Sequence, residues 1–260
     1  MERPRIQAAR IANRCLEPHE ARNSQMKNFG VRRRERFSLF CFALSLRLLL
    51  FALVHPWSAD TESRFVLQGD AAGYHHLATT LLAYQRFADD ASSPPNTLRT
   101  PGYPFLIAAL YVVFGPRPWV VVLFQCVLDA LTCLLLLSIL APRLGRRPAF
   151  AAAIMFALDP FLILYASATL LSETLFDFLL VASFLFLDRS LREQHAGRRT
   201  GQLVLAAALL GLNVLTRPVS EFLVFVFAAF VWLGRRRNTR VALVQVGLLL
   251  LAWGGWCSPL

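Results

Sequence analysis

Long uncharged stretches constrain this chain more than any other feature. Apolar blocks run at roughly 37–56, 103–115, 118–141, 149–166, 170–187, 202–216, 219–233 and 241–257. A bilayer core of about 30 Å takes about 20 apolar residues as one helix, and lipid offers no partner to an unsatisfied backbone group. A water-soluble domain would break its apolar residues into short periodic runs. Here 56% of 260 residues are apolar and they come in blocks. The pattern predicts an all-α, polytopic transmembrane protein.

Charge decides how many blocks cross. The formal net charge of +11 sits largely in arginine clusters at 32–34, 143–147, 198–199 and 235–237, each abutting an apolar block. The positive-inside rule accounts for such clusters by topology, so nucleic acid is not expected as a partner. The block "YPFLIAALYVVFG" holds only thirteen residues, between Pro101-Gly102 and Pro116. If it stays on one side, the N-terminus and segments 142–148, 188–200 and 234–240 all face the cytoplasm. If it crossed, the later basic loops would be thrown outside. We therefore expect about seven spans, an interfacial or re-entrant helix at 103–115, and one outer loop over 57–118.

That loop sets Asp60, Glu62, Asp70, Asp89 and Asp90 against Arg64, Arg86, Arg99 and Arg117, without the cationic excess of the inner segments. Residues 1–36 are expected to be a basic, disordered cytoplasmic tail, with Met1 and Met26 both open as the start. Residues 37–260 form the transmembrane domain. The tail does not read as a secretory signal, since polar residues fill it up to the first apolar run. Cys15, Cys41, Cys126, Cys133 and Cys257 are scattered without metal-ligand spacing and read as small buried side chains.

Polar chemistry is densest in "QGDAAGYHHLA", residues 68–78, at the exit of the first block. Tyr74, Leu77, Ala78, Leu81 and Leu82 recur at helical spacing, which predicts an amphipathic helix along the membrane surface. Asp70 opens that helix. It is either an N-cap or a carboxylate at the water–lipid boundary able to act as a general base. His75 and His76 are adjacent and point to different helix faces, so no metal site is expected of them. Arg99, in "LRTPGYPFL", is the one strong cation just ahead of the short helix, placed to grip a phosphate or to sit among headgroups.

Further charges lie in or beside the spans. Asp159, in "FALDPFLILYAS", precedes Pro160, whose ring should kink the helix. Glu173, in "LLSETLF", opens the next span, where the helix dipole alone would favour it. Arg217, in "LTRPVS", ends a later outward span, where snorkelling alone would explain it. Three acids and two arginines thus gather at one boundary. Asp129 and Asp177 read as polar contacts between helices.

Taken in order and sidedness, "GDAAGYHHLA", "RTPGYPFLIAALYVVFG", "SETLF" and "GLNVLTRP" resemble the GT-C polyprenyl-phosphate-sugar-dependent glycosyltransferases. The resemblance covers roughly residues 37–260. It points to the dolichyl-phosphate-mannose protein mannosyltransferase-like branch, which includes the lipid A aminoarabinose transferases. It implies transfer of a sugar from a polyprenyl-phosphate donor to a lipid, glycan or protein acceptor, at the outer face of a bacterial inner membrane. Asp70 would match the first-loop catalytic aspartate, with Glu173 or Asp159 as second acid. Arg99 and Arg217 would hold the donor phosphate, and Tyr74, His75 and Tyr103 would complete the substrate-binding set. No cofactor is implied beyond the donor itself, and a divalent metal is not indicated. Members usually carry more spans and many add an outer C-terminal domain, so a chain ending at "LAWGGWCSPL" is expected to be shortened at its C-terminus. Two rivals stay open, an inactive remnant of such an enzyme and a transporter. A transporter should show paired broken spans and midplane polar sites related by a repeat. No repeat is visible, and the polar residues gather at one face.

Overall fold

The computed structural model describes residues 32–235. Residues 1–31 of the expected N-terminal tail, the last apolar block at 241–257, Cys15 and Cys257 lie outside the described residues, while Arg33–Arg36 of that tail are helical and open the first helix. Within them the protein is helical, and the sole pairing of extended backbone is a single bridge between Ala88 and Pro95.

Helix α1 covers Arg33–Val54. A short helical turn, Ala59–Thr61, runs into a π-helical turn at Glu62–Val66. The long loop contributes α2, Asp70–Tyr84, and α3, Gly102–Phe114. Then come α4, Pro118–Leu144, α5, Arg146–Ala157, and α6, Pro160–Ser167. Helix α7, Glu173–Arg192, is followed by α8, Ala196–Thr216. A 3-10 turn at Pro218–Phe222 leads into α9, Leu223–Arg235.

On length and composition α1, α4 and α8 can each cross a bilayer, and α5 with α6, bent by 54° at their junction, forms either a fourth, broken span or a re-entrant loop. The bend falls where proline predicts it. Pro160 has no N–H to continue the ladder, and Asp159 caps the new helix by accepting from the Phe161 and Leu162 amides at 2.9 and 3.0 Å. Helix α7 has 20 residues but carries Glu173, Asp177, Asp188, Arg189 and Arg192, and α9 has 13. Neither passes as a span on these criteria. Against the expected seven or so, the described residues thus hold three such helices, or four with the bent pair, and the expected last span at 241–257 lies outside them. Helix α3, at 13 residues, reaches only about 20 Å, short of a full crossing.

Packing explains the arrangement. Ala149, Ala153 and Ala157 of α5 are fully buried at four-residue spacing against Leu39 and Ala43 of α1 and Ala130 of α4. Small side chains of this kind let helix backbones approach closely where no hydrophobic force draws them together. A second cluster joins α7, α8 and α9 through Leu187, Leu203, Leu210 and Phe227. Outward faces stay apolar: Leu53, Met155, Phe161, Val204 and Phe225 are all more than half exposed. Such a surface suits lipid and not water. The basic clusters' members Arg143, Arg146 and Arg199, together with Arg192, lie at the end of the bundle opposite the long loop. There Arg146 pairs with Glu35, and Arg143 and Arg192 both pair with Asp188.

Candidate functional site

The loop end of the bundle carries two acid–arginine pairs built on the same plan. In each, the acid is the first residue of a helix and the arginine lies over an aromatic ring of that helix.

Asp70 is the first residue of α2, and its N-cap is Gly69, with no side chain capping the helix. The carboxylate is therefore not committed to the backbone amides and reaches outward, with the helix dipole favouring its charge. Arg99 Nη2 contacts Asp70 Oδ1 at 3.0 Å, and Arg99 Nη1 donates to the Asp70 carbonyl at 3.3 Å. The guanidinium lies 4.8 Å from the centroid of the Tyr74 ring, within cation–π range. A Cβ at Gly73 would fall 2.8 Å from that guanidinium, so only glycine lets Arg99 lie along α2 as it does. The loop aims the arginine. Asn96 Oδ1 accepts from the Leu98 and Arg99 amides at 3.1 Å, while its amide donates to Asp89 at 3.0 Å. His76 Nε2 hydrogen-bonds the Asp89 carbonyl at 2.6 Å. Nearby, the Ser93 and Ser92 hydroxyls and amides hold the Asp90 carboxyl well below the usual carboxylate range.

Glu173 is the first residue of α7, and Arg217 follows the last residue of α8. Arg217 Nη2 lies 3.1 Å from Glu173 Oε1, and its guanidinium is 5.8 Å from the Phe176 ring centroid. Glu173 Oε2 is buried without a hydrogen-bond partner. Helices α7 and α8 are locked where this pair sits: Asn213 donates to the Phe176 carbonyl at 2.7 Å and accepts from Ser220.

One segment, Arg99–Tyr103, runs between the two pairs. Thr100 donates to the Thr216 carbonyl at 2.8 Å. A Cβ at Gly102 would meet the Leu215 carbonyl oxygen at 2.7 Å, so the chain crosses α8 at a distance that only glycine permits. Tyr103 is fully buried and meets the Tyr74 ring edge-on at 5.1 Å. Its hydroxyl donates to Gln125 Oε1, and the Gln125 amide donates to the Tyr165 and Thr169 carbonyls at 3.0 Å. Tyr103 is thus packed beneath Tyr74 as support.

His75 shares a 2.8 Å hydrogen bond with the Tyr111 hydroxyl. Burial, and secondarily the neighbouring His76, pushes its pKa below the ordinary 6.5. The imidazole is neutral at pH 7. Asp159 is not brought to either pair. It caps α6, and that helix plus the linker through Ser172 separate it from Glu173. Among the described residues no group of three or more His, Cys, Asp or Glu side chains is placed to hold a metal. Two open cavities lie away from these pairs, one of about 950 Å³ at Glu35, Arg146, Arg147 and Phe150, and one of about 350 Å³ between α4, α7 and α9.

Two residues that sequence reading passed over stand out. Arg47, fully buried in α1, pairs with Asp129 of α4. A lone arginine deep in an apolar block was the available signal, because intramembrane charge is costly enough to be informative. Gln125 gave none beyond polarity.

The arrangement can bind an anion and remove a proton. Two ring-supported guanidiniums suit phosphate oxygens, and the acids they hold are open to different degrees, with 69% of the Asp70 side chain exposed and 26% of the Glu173 side chain. No curated protein and no solved structure matches the chain. A family model described as dolichyl-phosphate-mannose-protein mannosyltransferase matches residues 98–254. That stretch contains Arg99, Tyr103, Asp159, Glu173 and Arg217, and stops short of Asp70, Tyr74 and His75. It spans well over half of the 260 residues, and with the apolar helices it shows that the chain belongs to the dolichyl-phosphate-mannose-protein mannosyltransferase family and is a membrane glycosyltransferase of the GT-C type.

Proposed function

We propose that the protein transfers a sugar from a polyprenyl-phosphate donor to a lipid, glycan or protein acceptor at the outer face of a bacterial inner membrane, with the two ion pairs as its active site. The observation that carries this reading is the doubled arrangement itself, Asp70–Arg99 over Tyr74 and Glu173–Arg217 over Phe176, joined by residues 99–103. Arg99 and Arg217 bind the donor phosphate. A phosphate oxygen replaces the Asp70 carboxylate on Arg99, and the carboxylate so released is the base that meets the acceptor. It takes the proton from the acceptor hydroxyl or amine as that atom bonds the anomeric carbon. The bond from that carbon to the phosphate oxygen breaks with inversion, and the two guanidiniums stabilise the charge that grows on the leaving phosphate.

Glu173 serves better than Asp159 as the second acid, because one Asp159 oxygen accepts two backbone amides while a Glu173 oxygen is unpaired. Tyr74 orients Arg99, and neutral His75 offers a hydrogen bond beside it. The basic clusters support a topology with the N-terminus and the arginine end in the cytoplasm. The test is transfer by the protein in vesicles supplied with a polyprenyl-phosphate sugar. Product of inverted anomeric configuration that disappears in Asp70→Asn is the expected result. Undiminished transfer by that variant contradicts the base role, and movement of substrate without transfer favours a transporter.

A further inference from the structure

We propose that Arg47 and Asp129 are positioning residues for Glu173, acting by pinning the break between α5 and α6. This rests on the reading of Glu173 as part of the active site. In an unbroken helix the Ala157 carbonyl would accept from the Phe161 amide. Here that amide, like that of Leu162, bonds Asp159 Oδ1 instead, so Ala157 loses its intrahelical donor. Arg47 supplies the replacement, with Nη1 donating to the Ala157 carbonyl at 2.7 Å and to the Ala43 carbonyl at 3.1 Å. Asp129 holds the same guanidinium through Nε and Nη2, and the two side chains are 0% and 2% exposed.

Helix α6 is a rod of eight residues, about 12 Å long. Its lower end abuts the Ala157 contact. Its upper end is held by Gln125, which donates to the Tyr165 and Thr169 carbonyls, and by the Leu170 amide, which donates to the Val66 carbonyl at 3.2 Å. Glu173 follows three residues later. A short rod clamped at both ends delivers its next residue to one place, and releasing the lower clamp frees the upper end to tilt. Two apolar side chains could fill the space of the ion pair, and such replacements are often neutral for folding. They cannot donate to Ala157. That donation is what the charged pair adds.

The test compares the full chain in lipid nanodiscs with Arg47→Leu/Asp129→Leu, which leaves no charge unpaired. Amide exchange across 161–172 should accelerate about tenfold in the double variant, as local opening frees those amides, while exchange across 86–99 stays unchanged. Unchanged exchange at 161–172 overturns the pin. Arg47→Lys keeps the charge but loses the forked donors, and should give an intermediate acceleration there. If the double variant does not fold, an unaltered lysine variant overturns the proposal equally. A second arm reads the coupling to Glu173. The double leucine change should lower transfer about tenfold or more in the parent, yet less than about twofold on a Glu173→Gln background, since neighbours acting through one group are not additive. Equal losses on both backgrounds mean a merely structural role and sink the proposal. A parent chain that transfers no sugar would remove the functional reading, and the exchange arm alone would then decide the pin.

Discussion

The loop end and the centre of the bundle each hold acid–arginine pairs, and they differ in what water and ligands can reach. Asp70–Arg99 and Glu173–Arg217 are partly open, with side-chain exposures of 69%, 28%, 26% and 39%. Arg47–Asp129 is closed off, and its guanidinium is also spent on two backbone carbonyls. An open pair adds about 0–1 kcal/mol to stability, so exchanging one partner for a phosphate is easy. A closed pair that loses one partner leaves a charge stranded, at about 3–5 kcal/mol. The same two residue types therefore make a binding site in one place and a structural joint in the other.

That contrast can be attacked from both sides. Asp70→Asn should lower transfer about 10²–10⁴-fold, the usual worth of a positioned base, while thermal unfolding stays near that of the parent. A large fall in stability would place Asp70 with the structural pairs instead. Asp129→Ala should do the reverse, lowering stability by about 3–5 kcal/mol in detergent unfolding, because Arg47 is left buried without its counter-ion. A change under about 1 kcal/mol would mean that water or lipid phosphate reaches Arg47.

Between these extremes stands Gly102→Ala. Its new methyl meets the Leu215 carbonyl oxygen, so residues 99–103 must lift from α8, at about 1–3 kcal/mol. Transfer should fall along with stability, since that segment carries Arg99. A variant that loses stability and keeps full transfer would separate the two pairs functionally.

The smallest effect concerns His75. Its folded pKa is depressed below 6.5 by burial, so the unfolded chain takes up a proton first as the pH falls. The stability due to the neutral imidazole is present above about pH 6.5 and is lost progressively below it. Its facing groups are Tyr111 and His76. His75→Gln should flatten the acid side of a pH–melting profile, since no imidazole is then left at this position to take up a proton on unfolding. An unchanged acid limb would assign that loss elsewhere.

Much of the architecture was legible because its causes are local. Apolar runs mark α1, α4 and the α5–α6 pair, thirteen residues between prolines mark α3, and Pro160 marks the bend. Periodicity found α2, but Asp70 as a capping residue did not follow: the cap is Gly69, one residue earlier, and this frees the carboxylate for Arg99. Partners distant in sequence were out of reach. Nothing local says that Arg47 meets Asp129, that Gln125 links Tyr103 to Thr169, or that Asp159 would be taken up by its own helix. Helix α7 has the length of a span at 20 residues, but its charged first and last turns keep it out of the count.

Binding of polyprenyl phosphate, without sugar, to the parent protein, Arg99→Ala and Asp70→Asn tests the open-pair account most directly. If phosphate displaces the carboxylate from Arg99, the alanine variant should bind about 10–100-fold more weakly, the worth of a charge-assisted contact. The asparagine variant should bind at least as tightly as the parent, because the competing anion is gone. Equal weakening in both variants, or undiminished binding by Arg99→Ala, would contradict it.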